Sequence, residues 1–561
     1  MQSHDFDAIV IGSGISGGWA AKELTEKGLK VLLIERGRSI TPADYVGEHK
    51  RAWEFPFRQL GDRKRYERDY PIQGTCYAFG EPTEQWWVND REHRYGQDPA
   101  RPFRWIRGNH LGGRSLMWGR CTPRWGPINF EENLRDGHGV DWPIRYDDIR
   151  PWYDHVEEFI GVSGQSEFDS PFAPVGRFQP GMPMNACETF VADRIRASHP
   201  GRHLTIAPSA ILTRELHGRA PCHYCGPCER GCSTGSYFSS ISSTLPAARA
   251  TGNLTIVTDS VVTGLDYDPK SRKVSGVRVI DQKTRAGRRY TAKIVFLNAS
   301  TLGTTQILLN STSESFPDGL GNRSGVLGHY LMDHMYIDVS GEIPGLLDKH
   351  AVGHRPAGLW MSRYVNVDGQ TAPFVRGFSL QGDSLRANWM RGASVPGHGA
   401  ALKQQLREYG PWMLSLSPFL ECLPYRDNSL SLDPVRKDKW GLPILNTRFE
   451  WGQNERTMAR FMVDDATQML KSAGATRIEK SPAELPPGGY GIHEMGTARM
   501  GRDPATSFLN GHNQSHEVAN LFVTDGACMA STAAQNPSLT YMALTARAAN
   551  YAVEQMRSGA L

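Results

Sequence analysis

The chain has 561 residues, of which 63 are basic and 59 acidic, for a net charge of +4. So even a balance gives no reason to expect a nucleic-acid partner, and 39% hydrophobic with 22% charged residues describes an ordinary globular protein. No window approaches eighteen consecutive apolar residues, so no membrane span is expected, and the length calls for two or three lobes.

The opening residues read MQSHDFDAIVIGSG. They lack a positive n-region, a separate apolar h-region and a small-residue cleavage site, so no signal peptide is expected. Asp7-Ala-Ile-Val-Ile-Gly12 predicts a strand, Ser13–Gly18 a turn, Trp19–Lys27 a helix closed by Gly28, and Lys30–Glu35 a second strand. Gly12-Ser-Gly14-Ile-Ser-Gly17 matches GxGxxG in that strand–turn–helix setting. Such glycines allow a tight turn, close approach of backbone to a pyrophosphate, and close helix–strand packing, with the phosphates on the helix N-terminus. Glu35 then accepts the adenosine ribose hydroxyls and disfavours a 2′-phosphate. Ser16 and Arg36 join these as candidate contacts of the dinucleotide.

Residues 40–100 are polar, rich in aromatics and without a period, and read as an excursion over the surface. Arg107-Gly-Asn-His-Leu-Gly-Gly-Arg-Ser-Leu-Met-Trp118 is a second glycine-rich block. Its Gly112–Gly113 pair stands beside Arg107, Arg114 and Ser115, donors suited to a diphosphate; taken alone, the block also reads as an ordinary glycine-rich loop. Residues 129–163 look helical in part. Strands are expected at Asn253–Val257, Val261–Tyr267, Lys273–Asp281 and Arg288–Phe296, with a turn at Asp266–Ser271. Residues 301–311 read as a helix, 330–450 as short strands with Pro and Gly breaks, Asn454–Gly474 as a helix, and 532–557 as a last helix opened by Asn536-Pro537.

Of nine cysteines, Cys76, Cys121, Cys187, Cys422 and Cys528 are scattered and read as core or free thiols. Cys222-His-Tyr-Cys225-Gly-Pro-Cys228-Glu-Arg-Gly-Cys232 is different. C-x2-C-x2-C-x3-C is a ferredoxin-like iron–sulfur run, four thiolates also suit zinc, and paired disulfides are the plain reading in an oxidising compartment.

Taken together, the blocks resemble the glucose–methanol–choline (GMC) family of FAD oxidoreductases over nearly the whole chain. The resemblance rests on the N-terminal fingerprint, Gly112-Gly-Arg-Ser115, and Ala299-Ser-Thr-Leu-Gly-Thr-Thr-Gln-Ile-Leu-Leu309. It rests further on His493-Glu-Met-Gly-Thr-Ala-Arg-Met-Gly501, and on Thr524-Asp-Gly526 followed by Asn536-Pro-Ser-Leu-Thr540. It implies an α/β fold in which a Rossmann-like FAD-binding domain (1–125, 220–330 and 485–561) joins an α+β substrate-binding domain built on an antiparallel sheet (126–219 and 331–484). It implies FAD contacts at Gly12, Gly14, Ser16, Gly17, Glu35, Arg36, Arg107, Gly112, Gly113, Arg114, Ser115, Met117, Trp118, Val262, Ala299, Asp525, Gly526, Asn536, Pro537 and Ser538. Met117 stands where the pyranose-oxidising branch carries a flavin-linked His, so FAD is expected to be non-covalent. His493 resembles the family's catalytic base, and Asn536 the residue that orients the substrate hydroxyl.

Trp105-Ile-Arg-Gly and His138-Gly-Val-Asp-Trp-Pro143 extend the likeness to bacterial glucoside 3-dehydrogenases, which oxidise the C3 hydroxyl of a pyranose. Cys222, Cys228 and Cys232 have the spacing of the three-cysteine [3Fe–4S] site of bacterial FAD-dependent glucose dehydrogenases; Cys225 departs from it and offers a fourth ligand for a [4Fe–4S] cluster. The resemblance thus implies a sugar or glycoside dehydrogenase working with a small helper subunit and a cytochrome c acceptor. A helper with its own export signal would carry it to the periplasm; without one the chain is cytoplasmic. The competing readings are an oxidase that makes hydrogen peroxide from oxygen and a non-catalytic flavoprotein subunit.

Overall fold

Phe6–Ile11 and Val31–Ile34 are short, almost wholly buried apolar runs, the composition that parallel strands covered on both faces require. In the computed structural model, which describes residues 5–45, 47–167, 170–347, 355–393 and 395–561, they sit at the centre of a five-stranded parallel sheet. Its order is Leu521–Val523, Ala292–Leu297, Phe6–Ile11, Val31–Ile34, Leu254–Val257. Residues 1–4 of the N-terminal reading, and 348–354 and 394 within the 330–450 segment, lie outside the described residues. A second, antiparallel sheet runs Thr476–Ser481, Asp338–Ile343, Trp412–Leu420, Phe378–Gly382, Leu359–Met361, Thr205–Ile206. A third, smaller antiparallel sheet holds Ser260–Asp268, Lys273–Asp281 and Gly287–Tyr290. No helix among the described residues is long and apolar enough to cross a membrane.

Four expectations need correction. The first helix spans Ile15–Glu26, starting well before Trp19, with Gly14 as an extended N-cap. Its glycines do not break it, because they are there for packing: a Cβ on Gly17 would stand 1.9 Å from the carbonyl oxygen of Gly12. Arg288–Phe296 is two strands rather than one. The exposed Gly287–Tyr290 pairs in the small antiparallel sheet, whereas the buried Ala292–Leu297 pairs in the parallel one. Thr291 marks the crossing, with its N–H and Oγ each 3.0 Å from the Asp5 carboxylate.

Residues 40–100 are a surface excursion only in part: Trp53, Phe57 and Leu60 are exposed, but other residues of the segment reach the interior. Trp86 and Gln73 are fully buried, and Gln73 donates to Asp90 and the Trp105 carbonyl while accepting the Arg107 N–H at 2.7 Å. That one amide pins the segment to the second glycine-rich block. Lastly, the C-terminal helix is Ser538–Arg557, not 532–557. The stretch before it is buried but irregular, because side chains intercept its backbone: His334 Nε2 meets the Ala533 carbonyl, Ser379 Oγ donates to that of Ala534, and Gln535 takes the N–H of Ala534.

The Gly17 contact carries a prediction. Gly17→Ala overpacks the strand–helix turn and is expected to cost about 1–3 kcal/mol, read as a lower Tm together with reduced bound flavin. An unchanged Tm contradicts the close approach.

Candidate active site

One cavity of about 620 Å³ extends from the C-terminal edge of the parallel sheet to the face of the antiparallel sheet. At the first end stand Gly12, Ser13, Gly14 and Glu35. Gly12 has φ +95°, and a Cβ there would lie 2.2 Å from the Asn298 carbonyl. Around Gly14, by contrast, a Cβ would meet nothing within 4 Å, and the helix it caps has no side-chain cap. The first N–H groups of that helix are therefore open to an anion. Glu35 accepts from Ser13 N–H (3.1 Å), Ser13 Oγ (2.5 Å) and Gly37 N–H (2.7 Å). Burial raises its pKa against the pull of these donors.

Arg36 and Arg107 line the same cavity, and each has a buried Nε with no partner. Burial lowers both pKa values, that of Arg107 to about 10. Two partly unsatisfied buried cations are an environment suited to a phosphate. Further along, Arg114 makes a two-pronged ion pair with Glu494 at 3.0 and 2.6 Å, joining the second glycine-rich block to the residue after His493. Asp525 accepts from Thr304 Oγ at 2.5 Å, and burial raises its pKa to about 6.

At the other end, His493 and Asn536 come together although 43 residues separate them. His493 Nε2 and Asn536 Nδ2 are 3.5 Å apart, and Asn536 Oδ1 accepts from Gln381. Behind them His334, fully buried, places its Nδ1 2.9 Å from His493 Nδ1. The preceding Asp333 gathers the N–H groups of Gly489 (2.8 Å), Gly491 (3.1 Å) and His493 (2.8 Å). Burial, with Glu494 nearby, raises the Asp333 pKa to about 7. Phe419 packs on His493 with ring centroids 4.9 Å apart. Tyr336, Gln381, Asp383, Ser415, Ser417 and Tyr490 complete this end.

Of the residues expected from the sequence at the dinucleotide and catalytic sites, all line this cavity except Gly17 and Gly112. Gly17 packs helix on strand from behind. Gly112 (φ +84°) turns the chain and donates its N–H to Ser13 Oγ. Asp333, His334 and the lining residues from the antiparallel sheet belong to no sequence motif. A histidine among eighteen, in no motif, gives no signal of its own.

Family models described as GMC oxidoreductase match residues 6–336 and 424–545. The chain belongs to the GMC oxidoreductase family. It is 29% identical to 2-methyl-1,2-propanediol dehydrogenase of Mycolicibacterium austroafricanum, over 97% of this chain and 94% of that protein. It is 26% identical to the fructose dehydrogenase large subunit of Gluconobacter japonicus, over 99% and 98%. A C-glycoside 3-oxidase of Arthrobacter globiformis is 26% identical over 51% of each chain. Pyridoxine 4-oxidase from Mesorbium loti shares the fold, with TM-score 0.61 over 98% and 99% of the chains at 16% identity.

GMC membership implies FAD, and the cavity fits it: open helix N–H groups, room over Gly14 and unsatisfied Arg36 and Arg107 all suit a dinucleotide diphosphate. The cysteine loop is a separate place. Cys222, Cys225, Cys228 and Cys232 are free thiols around a cavity of about 20 Å³, which shares Pro356 with the large one. Among the described residues, no three His, Cys, Asp or Glu side chains stand as a metal-holding group.

Because Asn can accept with only one of its two amide atoms, Asp333→Asn leaves part of the Gly489–His493 backbone unanchored. The expected loss is about 1.5–3 kcal/mol, measured as a lower Tm of the flavin-loaded protein; a Tm equal to wild type contradicts the anchoring role.

Proposed function

We propose that this GMC oxidoreductase is a FAD-dependent dehydrogenase that oxidises a secondary hydroxyl, at C3, of a pyranose sugar or glycoside. The observation that carries the reading is the pairing of His493 and Asn536 at one end of a dinucleotide-sized cavity. Bound FAD supplies the hydride acceptor. His493 Nε2 takes the hydroxyl proton while Asn536 holds the oxygen. Gln381, Asp383, Ser415 and Ser417 offer several hydrogen-bonding groups to a polyhydroxylated ring, and Tyr336, Phe419 and Tyr490 offer it apolar faces.

In this reading Gly12, Gly14 and Ser16 receive the diphosphate, Glu35 the ribose, and Arg36 and Arg107 balance the phosphate charge. Gly113, Arg114, Ser115, Met117, Trp118, Val262, Ala299, Asp525, Gly526, Pro537 and Ser538 line the remainder. A thioether at Met117 offers no imidazole for a covalent link, which supports non-covalent FAD. The two main sheets support a division into a FAD-binding domain over 1–125, 220–330 and 485–561 and a substrate-binding domain over the rest. The C3 position is supported by the motif likeness and by the C-glycoside 3-oxidase relative.

An anaerobic panel of glycosides tests the reading. At least one is expected to bleach the flavin and yield a 3-keto product. His493→Ala is expected to stay yellow while flavin reduction slows about 10²–10⁴-fold. Near-normal reduction in that variant removes His493 as the base, and no bleaching by any glycoside removes the substrate class.

The proposal extends to electron transfer. Four thiols around one small cavity suit iron in donor chemistry, Cys222, Cys228 and Cys232 as [3Fe–4S] ligands with Cys225 in reserve, although their present arrangement does not form a ligand set. A cytochrome-type acceptor and a small helper subunit complete the scheme, supported by a relative that is itself a large subunit. Anaerobically purified protein is expected to contain iron and acid-labile sulfide. Their joint absence, with peroxide formed from oxygen and a glycoside, replaces the relay with the oxidase reading.

A further inference from the structure

A neutral imidazole has one N–H and one lone pair, and the partner of one nitrogen decides the state of the other. His334 Nε2 lies 2.7 Å from the carbonyl oxygen of Ala533, an atom that only accepts. The proton of His334 is therefore on Nε2. Burial takes the pKa of His334 down to about 4, so near neutral pH its Nδ1 carries a lone pair. That lone pair faces Nδ1 of His493 at 2.9 Å, so His493 Nδ1 must hold an N–H. His493 is itself kept neutral, held well below the ordinary imidazole range by burial and by His334 and Arg114. Its Nε2 is left without a proton, facing the cavity and the Asn536 amide. Reversing both tautomers would keep a ring-to-ring hydrogen bond but set a His334 lone pair against the Ala533 carbonyl, and reversing His493 alone would set two lone pairs against each other.

We infer that His334 and the main-chain carbonyl of Ala533 are positioning groups that fix the tautomer of His493, keeping its Nε2 lone pair aimed at the substrate hydroxyl. The inference rests on the reading of His493 as the base. When Nε2 accepts the proton, the substrate O–H bond breaks, the Nε2–H bond forms, and the Nδ1–H bond to His334 stays as it was, so no ring has to turn. The surrounding backbone is built to the same end. Ala533 has φ 51° and Ile492 φ 59°, left-handed conformations uncommon outside glycine, and a β-branched residue there is a particular outlier. Asp333 holds the His493 N–H at 2.8 Å, so consecutive residues fix first the main chain and then the ring of His493.

The test uses flavin-loaded variants and an anaerobic stopped-flow titration with a glycoside that reduces the wild type, which separates substrate Kd from reduction rate. In His334→Leu the buried Nδ1–H of His493 has no acceptor, and the proton moves to Nε2. Reduction is expected to slow about 100-fold with Kd within about twofold, a general-base loss without a binding loss. His334→Gln has both a carbonyl and an amide N–H and is expected to recover to within about tenfold of wild type. A wild-type rate in His334→Leu, or a His334→Gln as slow as it, overturns the inference.

Should neither variant hold FAD, the wild type decides. Its 15N-histidine spectrum, assigned by difference with His493→Gln, is expected to show a bare Nε2 and a protonated Nδ1; the reverse overturns the inference. Normal reduction in His493→Ala removes the base reading alone, since the tautomer is observed independently of rate.

Discussion

Three backbone N–H groups, from Gly489, Gly491 and His493, end on the one carboxylate of Asp333, and the working end of the cavity depends on that convergence. Asp333 lies just before Met335–Tyr336, which pairs with Trp412–Leu420 of the antiparallel sheet. The segment it holds runs on to Gly496, Ala498 and Met500, whose N–H groups bond the carbonyls of Gly526, Ala527 and Cys528 beside the edge of the parallel sheet. A hydrogen-bonded carboxylate thus spans the junction between two sheets with different loads. One positions a dinucleotide, the other forms the wall around the reacting group. Without it, the buried Gly489 N–H would be unsatisfied at a cost of about 1–3 kcal/mol, and the part-buried N–H groups of Gly491 and His493 would lose their acceptor.

Charge inside the cavity follows the same division. Its dinucleotide end has incompletely paired guanidinium groups at Arg36 and Arg107 beside the Glu35 carboxyl, whereas imidazoles and amides surround the reacting position, with Asp383 also in the lining. Arg114 stands between them, but Glu494 answers its charge at 2.6 Å. A base must be neutral before it can accept a proton, and burial keeps His493 so. The guanidinium nitrogens without partners stand at the end where a diphosphate would lie.

The sequence was most readable where function and local geometry coincide. Gly12, Gly14 and Glu35 lie on one strand–turn–helix–strand unit, and their spacing alone placed them at one site. The start of the first helix is less legible, because Ser13–Gly18 has the composition of a turn whereas Gly17 lies inside the helix, where a Cβ would stand 1.9 Å from the Gly12 carbonyl. His493 and Asn536 were legible only through the family's blocks, since their contact is a tertiary one. His334, Asp333 and the lining from Phe378–Gly382 and Trp412–Leu420 had no local signature, because an alternating strand looks the same whether its inward face meets core or substrate. Residues 40–100 misled for the converse reason: Gln73 and Trp86 are buried by distant partners in a stretch whose composition is that of a surface.

The carbonyl of Ala533 belongs to the main chain, and this has a consequence for how such a site evolves and is studied. A scan that truncates side chains to alanine would pass over position 533, where alanine already stands, and no substitution there removes the oxygen that His334 reads. Genetic variation can alter the histidines that carry the message but not its origin, which is encoded by the path of the backbone. Replacing the amide that contains that oxygen with an ester would weaken the acceptor without changing a single side chain, exposing a contribution that ordinary mutagenesis cannot see.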